Sequence, residues 1–134
     1  MAARYLLDTN ICIYIAKHNP PSVRKRFARH AASDLAMSVV TYGELRFGAE
    51  KSHSRERALA TIELLTGMME VLALPEQAGQ HYGLIRAALE RKGRPIGNND
   101  LWLAAHARAA ELVLVTNNAR EFARIDGLDV ENWV

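Results

Sequence analysis

The chain reads as an α/β protein: a mostly parallel sheet of four to five strands, covered on both faces by helices. Three observations carry this expectation. Short apolar runs of strand length alternate with longer segments whose apolar residues recur at helical spacing. Two of the runs, residues 35–40 and 112–115, are apolar but for Ser38, as strands buried on both faces are. Prolines, glycines and short polar capping residues punctuate the junctions. With 134 residues, 49% of them hydrophobic and 24% charged, the chain fits one domain over residues 1–134 with a full core.

The elements follow in order. Residues 4–7 are a short β-like run that ends at Asp8-Thr9-Asn10, a set of helix-capping side chains. Residues 11–17 form a helix that Asn19-Pro20-Pro21 stops, and the prolines suit the first turn of a second helix over 22–30. A buried strand over 35–40 leads into a helix that Thr41 opens and that runs to about residue 52. Ala58, Leu59, Ile62, Leu65 and Met69 mark a helix over 55–69. A strand over 70–74, closed by Pro75, precedes a long amphipathic helix over 76–92 that Gly93 terminates. A helix over 98–110, a strand over 112–115, a short helix over 119–124 and a last strand near 129–130 complete the pattern.

Composition narrows the class. The single cysteine, Cys12, excludes a disulfide within the chain and a thiolate zinc cluster. No apolar run approaches the roughly 20 residues of a membrane span, and Met1-Ala2-Ala3-Arg4 lacks a signal peptide's apolar stretch, so a cytoplasmic location is expected. The net charge of +2 is too small to announce a nucleic-acid partner, but its distribution is uneven. Residues 1–60 carry ten Lys/Arg against five Asp/Glu, whereas residues 61–134 carry seven against ten. The densest basic patch is Arg24-Lys25-Arg26 with Arg29, which suits either phosphate contacts or a solvated helix face.

In a parallel sheet with right-handed crossovers, helices start at the carboxyl edge, where α/β proteins place their ligands. That edge collects acids. Asp8 follows the first strand, Glu44 lies early in the helix after the second, and Asp100 sits in the first turn of the helix before the 112–115 strand. Asn117 and Asn118 follow that strand, with Glu121 one turn later. Converging carboxylates repel one another unless a hard cation joins them. Each also has an ordinary reading. Thr41 and Glu44 have capping-box spacing, Asp100 suits a helix dipole, Asp8 and Asn118 suit caps, and Glu121 suits a solvated surface. The coincidence of all of them on one edge favours a site. A dinucleotide-binding glycine motif and a P-loop are both missing after the first strand, where Asp8-Thr9-Asn10 stands.

Five stretches resemble the PIN-domain toxins of the VapC family, in register from end to end. They are Tyr5-Leu6-Leu7-Asp8-Thr9-Asn10-Ile11; Ser38-Val39-Val40-Thr41-Tyr42-Gly43-Glu44-Leu45; Gly48-Ala49-Glu50-Lys51-Ser52; Pro95-Ile96-Gly97-Asn98-Asn99-Asp100-Leu101-Trp102 with Ala104-Ala105-His106-Ala107; and Val115-Thr116-Asn117-Asn118 with Glu121-Phe122. The closing Val130-Glu131-Asn132-Trp133 fits as well. Within the family the pattern is most similar to enzymes that cut initiator tRNA in its anticodon stem-loop.

The resemblance implies a single α/β/α PIN-like domain and a Mg²⁺-dependent endoribonuclease, with Mn²⁺ as a substitute ion. Asp8, Glu44 and Asp100 become the catalytic and metal-binding acids. Many PIN domains have a fourth acid where this chain has Asn118, so either Asn118 or Glu121 completes the set. Thr9, Asn10 and Thr116 are expected to orient the carboxylates, or simply to cap and turn the chain. Arg24, Lys25, Arg26 and Arg29, with Arg46 nearer the acids, are the candidate RNA contacts. His106 is read as packing on its helix face rather than as a base. The implied partners are a VapB-type antitoxin, a tRNA substrate and a second copy of the chain, with no membrane. Ile11, Ile13, Tyr14, Ile15, Tyr42 and Phe47 are candidates for an antitoxin groove or for plain core. The rival function is a catalytically weak module that binds RNA or antitoxin, to which the Asn118 departure gives some weight.

Overall fold

In the computed structural model, which describes residues 3–134, five parallel strands form one sheet in the order β3-β2-β1-β4-β5. Met1 and Ala2, the start of the expected leaderless N-terminus, lie outside the described residues. The strands are short: β1 (Tyr5–Leu7), β2 (Leu35–Ser38), β3 (Glu70–Leu72), β4 (Val113–Val115) and β5 (Val130–Glu131). Between them run α1 (Thr9–Lys17), α2 (Pro21–Ala28), α3 (Val39–Glu50), α4 (Arg55–Met68), α5 (Gln77–Arg91), α6 (Asn98–Ala109) and α7 (Ala119–Phe122).

Strand alternation divides the core between two faces. Leu6, Ala36 and Leu114 pack under α5, α6 and α7 against Ile85, Leu89, Leu101, Ala104 and Phe122. Tyr5, Leu7, Leu35, Met37 and Val115 face α1, α2 and α4, meeting Ile11, Ile15, Val23 and Leu65. Trp133 belongs to this second core. It is 1% exposed, its ring stacks on His30, and Arg26 lies over it.

The chain order makes the site's position a consequence of topology. β1 connects outward to β2 and β3, after which the chain returns to the other side of β1 as β4. The carboxyl ends of β1 and β4 therefore flank the point where the winding reverses, the usual ligand crevice of an open α/β sheet. Asp8 leaves one of those ends and Thr116 the other.

The strand expected over 35–40 stops at Ser38, and the helix begins at Val39 rather than Thr41. Ser38 is the N-cap, and its hydroxyl accepts the Val40 N–H at 3.1 Å. That bond turns two β-branched valines into the first helical turn despite their strand propensity. The run over 70–74 is ordered as strand only to Leu72. Among the described residues, no helix is long and apolar enough to cross a membrane.

Candidate active site

Asp8 is placed by β1 and used by α1. Its backbone N–H donates to the Val115 carbonyl at 3.0 Å, tying it to the end of β4. Its side chain accepts the Ile11 N–H at 2.9 Å as the α1 N-cap, so the capping and site readings of this residue are compatible. The Asp8 carboxyl is only 8% exposed. Burial raises its pKa, bonds from the Thr116 hydroxyl and the Ile11 and Asn10 amides oppose the rise, and the charge of Glu44 adds to it.

Glu44 does not close a capping box with Thr41, because Ser38 already caps α3. Its Oε1 instead accepts the Thr9 hydroxyl at 2.9 Å. The first turn of α1 therefore fixes a carboxylate on α3. Thr41 points into the core, where its hydroxyl has no partner among the described residues.

Asp100 stands in the first turn of α6, whose N-cap, Gly97, offers no side-chain acceptor. Its carboxyl is pushed up to about 6 by burial first, then by the charges of Glu121, Glu44 and Asp8. Glu121 is thus the strongest charged neighbour of Asp100 and not merely solvated surface. Asn118 does not cap α7 with its side chain. It donates from Nδ2 to Glu121 Oε2 at 2.6 Å, while its backbone N–H donates to Thr116 Oγ1 at 3.0 Å. Asn10 touches Asp8 only through its backbone, and its side chain donates to Asn117 at 3.4 Å.

Asp8, Glu44, Asp100 and Glu121 therefore act on one another electrostatically, and among the described residues none has a salt-bridge partner. An open concavity of about 390 Å³ lies against Glu44, Gly97, Asn98, Asn99 and Asp100. Among the described residues no three His, Cys, Asp or Glu side chains stand close enough together to hold an ion between them. This all-oxygen, uncompensated donor set fits a hard divalent cation such as Mg²⁺, which keeps much of its water and takes one or two carboxylates directly. His106 is buried and holds Ser38 Oγ at 2.9 Å through Nδ1, and burial lowers its pKa. It lies in the core, as expected, and joins α6 to the start of α3. Ser38, a capping residue type ahead of a helix, was the signal for that link.

The basic residues are less concentrated on the site. Arg24 contacts the His18 ring, and Arg26 pairs with Glu131 at 3.0 Å. Arg46 lies over the Tyr42 ring, and its charge adds to the lowering of the Glu50 pKa that the hydrogen bond from Arg55 chiefly causes. Among the described residues, none of Arg24, Lys25, Arg26, Arg29 and Arg46 pairs with a site acid.

A groove of about 450 Å³ between α1, α3 and α4 opens beside the acids, with Thr9 and Glu44 on its lining. Its apolar wall uses Ile13, Leu45, Ile62 and Leu65. Of the groove candidates only Ile13 lines it. Ile11 and Ile15 are buried core, Tyr14 and Tyr42 pack against that core, and Phe47 is 65% exposed beside Lys51.

The PIN domain family model matches residues 5–128. A tRNA(fMet)-specific endonuclease VapC of Shigella flexneri is 48% identical over 130 residues, covering 97% of this chain and 98% of that protein. A VapBC complex of Salmonella typhimurium, solved with DNA bound, superimposes with a TM-score of 0.91 at 45% identity, covering 98% of this chain and 99% of that one. VapBC2 of Rickettsia felis, bound to a promoter DNA fragment, gives a TM-score of 0.89 at 37% identity over 97% of this chain and 98% of that one. A five-stranded parallel sheet of this order, acids at its winding switch and sequence identity along its whole length lead to one conclusion: the chain belongs to the PIN-domain family and, within it, to the VapC ribonucleases.

Proposed function

We propose that this protein is a Mg²⁺-dependent endoribonuclease that hydrolyses tRNA in the cytoplasm, as the toxin partner of a VapB-type antitoxin. The observation that carries the reading is the convergence of Asp8, Glu44, Asp100 and Glu121, without a cationic partner, in the switch-point crevice. Asp8 and Asp100 would hold the ion, with Glu44 and Glu121 completing the negative surround, and Mn²⁺ would substitute. When bound, the ion makes a water more acidic and offsets charge developing on the scissile phosphate.

The chain's own groups prepare the rest. Thr9 holds Glu44, Thr116 and the Ile11 amide hold Asp8, and Asn118 holds Glu121, so the carboxylates are oriented before substrate arrives. Glu44, aimed by Thr9, is the group to take a proton from the attacking water. In-line attack then leaves a 5′-phosphate and a 3′-hydroxyl. Because Glu121 supplies a fourth carboxylate, a neutral residue at 118 does not leave the site short of charge, and the weak-module reading loses its motivation.

The relatives named as tRNA(fMet)-specific endonucleases support initiator tRNA as the substrate. The VapBC complexes support a VapB-type antitoxin as partner, and the apolar α1–α3–α4 groove beside the acids offers a seat for one of its segments, with a basic side chain reaching the carboxylates. The toxin would act as a homodimer and be silenced in a toxin–antitoxin hetero-oligomer.

The test is incubation of the purified protein with total tRNA in Mg²⁺ or EDTA, beside Asp100→Asn, with the fragment ends mapped. One discrete Mg²⁺-dependent cut, lost in the variant, is the expected result. Cleavage that persists in EDTA, or intact tRNA throughout, would overturn it.

A further inference from the structure

A second concavity, of about 300 Å³, lies between α5, the end of α6 and the turn after α7. Four cations line it, Arg91, Lys92, Arg108 and Arg124, and among the described residues none of them forms a salt bridge. Arg108 is half-buried and held in place: Nε donates to His81 Nδ1 at 2.8 Å and Nη1 to the Asp126 carbonyl at 2.9 Å. Both acceptors are neutral when they accept these bonds, so the guanidinium is fixed without its charge being cancelled. Asp126 is the one acid on the same lining, so the cations outnumber it four to one, and that excess of positive charge favours a bound anion.

Two of the segments that form the hollow adjoin, in sequence, segments that carry the acids, while Arg108 stands at the opposite end of α6 from Asp100. Arg124 donates its N–H to the Glu121 carbonyl, one turn beyond the fourth carboxylate. Arg91 and Lys92 end α5 and enter the loop that leads to Asp100. The two arms that bring acids to the crevice thus also bring cations to the hollow.

We infer that the Arg91–Lys92–Arg108–Arg124 hollow is a phosphate-backbone site for the RNA substrate, which it grips to one side of the scissile bond. The inference rests on the ribonuclease reading above and adds the surface that holds the RNA. A fixed guanidinium suits phosphate contact, and the exposed Arg91 and Lys92, on long flexible stems, suit a backbone of variable shape. The site would read charge and helical shape rather than base identity.

The test uses the full chain carrying Asp100→Asn, so that tRNA is bound and not cut, with affinity for total tRNA measured over a KCl series. Adding Lys92→Gln and Arg124→Gln together should weaken binding about tenfold and reduce the slope of log affinity against log salt by about one per cation removed. Arg4→Gln with Arg55→Gln, two cations outside the hollow, should change both far less. Thermal melts of each variant exclude unfolding as the cause. If the parent binds tRNA and the Lys92/Arg124 pair binds it equally with the same slope, the hollow is not an RNA site and the nuclease reading stands. If the parent fails to bind tRNA and the wild type fails to cut it, both readings fall together.

Discussion

At the Thr9–Glu44 contact, a hydroxyl in the first turn of α1 holds a carboxylate on α3 across 35 residues of sequence. A hydrogen bond to a charged acceptor contributes about 1.5 kcal/mol or more. Thr9→Val, which keeps the side chain's shape, should therefore lower the melting temperature by a few degrees and, by releasing Glu44, lower kcat for tRNA cleavage about tenfold. Steady-state kinetics beside a thermal melt checks both halves. Asp100 makes a different kind of prediction, because the folded protein holds its proton up to about pH 6 while the unfolded chain releases it near the ordinary carboxyl value of 3.8. The folded state thus binds more protons than the unfolded one across that window, so this group lowers stability as pH rises through it. Metal-free Asp100→Asn should melt at a higher temperature than wild type at pH 7.5, with the gain shrinking to nothing near pH 4. Melts in EDTA across that range test the sign; a variant less stable at neutral pH contradicts it.

The helices depend on who caps them, and here the sequence was only partly readable. Asp8, Glu44 and Asp100 were visible as acids at strand ends and helix starts, because parallel topology alone sends those positions to one edge. The partner of Glu44 was not visible, since a Thr41 capping box and a Thr9 contact are equally compatible with the local spacing. What decides between them is Ser38, which takes the cap three residues early and leaves Val39 and Val40 helical. The same hydroxyl meets buried His106 at 2.9 Å, joining the helix of Asp100 to that of Glu44. Ser38→Ala removes a cap and strands a buried imidazole nitrogen, and should cost about 2 kcal/mol of stability. Urea denaturation measures this, and a loss well under 0.5 kcal/mol would show that the link carries little.

For the whole molecule, charge was the least legible property. The one-dimensional count placed the positive surface in the first 60 residues, where Arg24, Lys25, Arg26 and Arg29 are adjacent in sequence. Folding commits Arg26 to Glu131 and gathers Arg91, Lys92, Arg108 and Arg124 from three separate segments of the more acidic half. No local pattern announces such a cluster. The parallel sheet and the helices on its two faces, by contrast, were readable, because alternating runs and punctuation report directly on burial; the strand order was not. The acids at the winding switch join these scales: topology places them, capping and hydroxyl bonds aim them, and their mutual repulsion calls for a cation. The rate of tRNA cleavage against Mg²⁺ concentration, for wild type and for Asp8→Asn, Glu44→Gln, Asp100→Asn and Glu121→Gln, tests this most directly. Each neutralisation should slow cleavage at saturating Mg²⁺ or raise the Mg²⁺ needed, with the Asp8 and Asp100 variants at least about 100-fold slower, while Asp34→Asn on the far edge cuts normally. Wild-type rates in the Asp8 or Asp100 variant, or cleavage independent of Mg²⁺, would contradict the account.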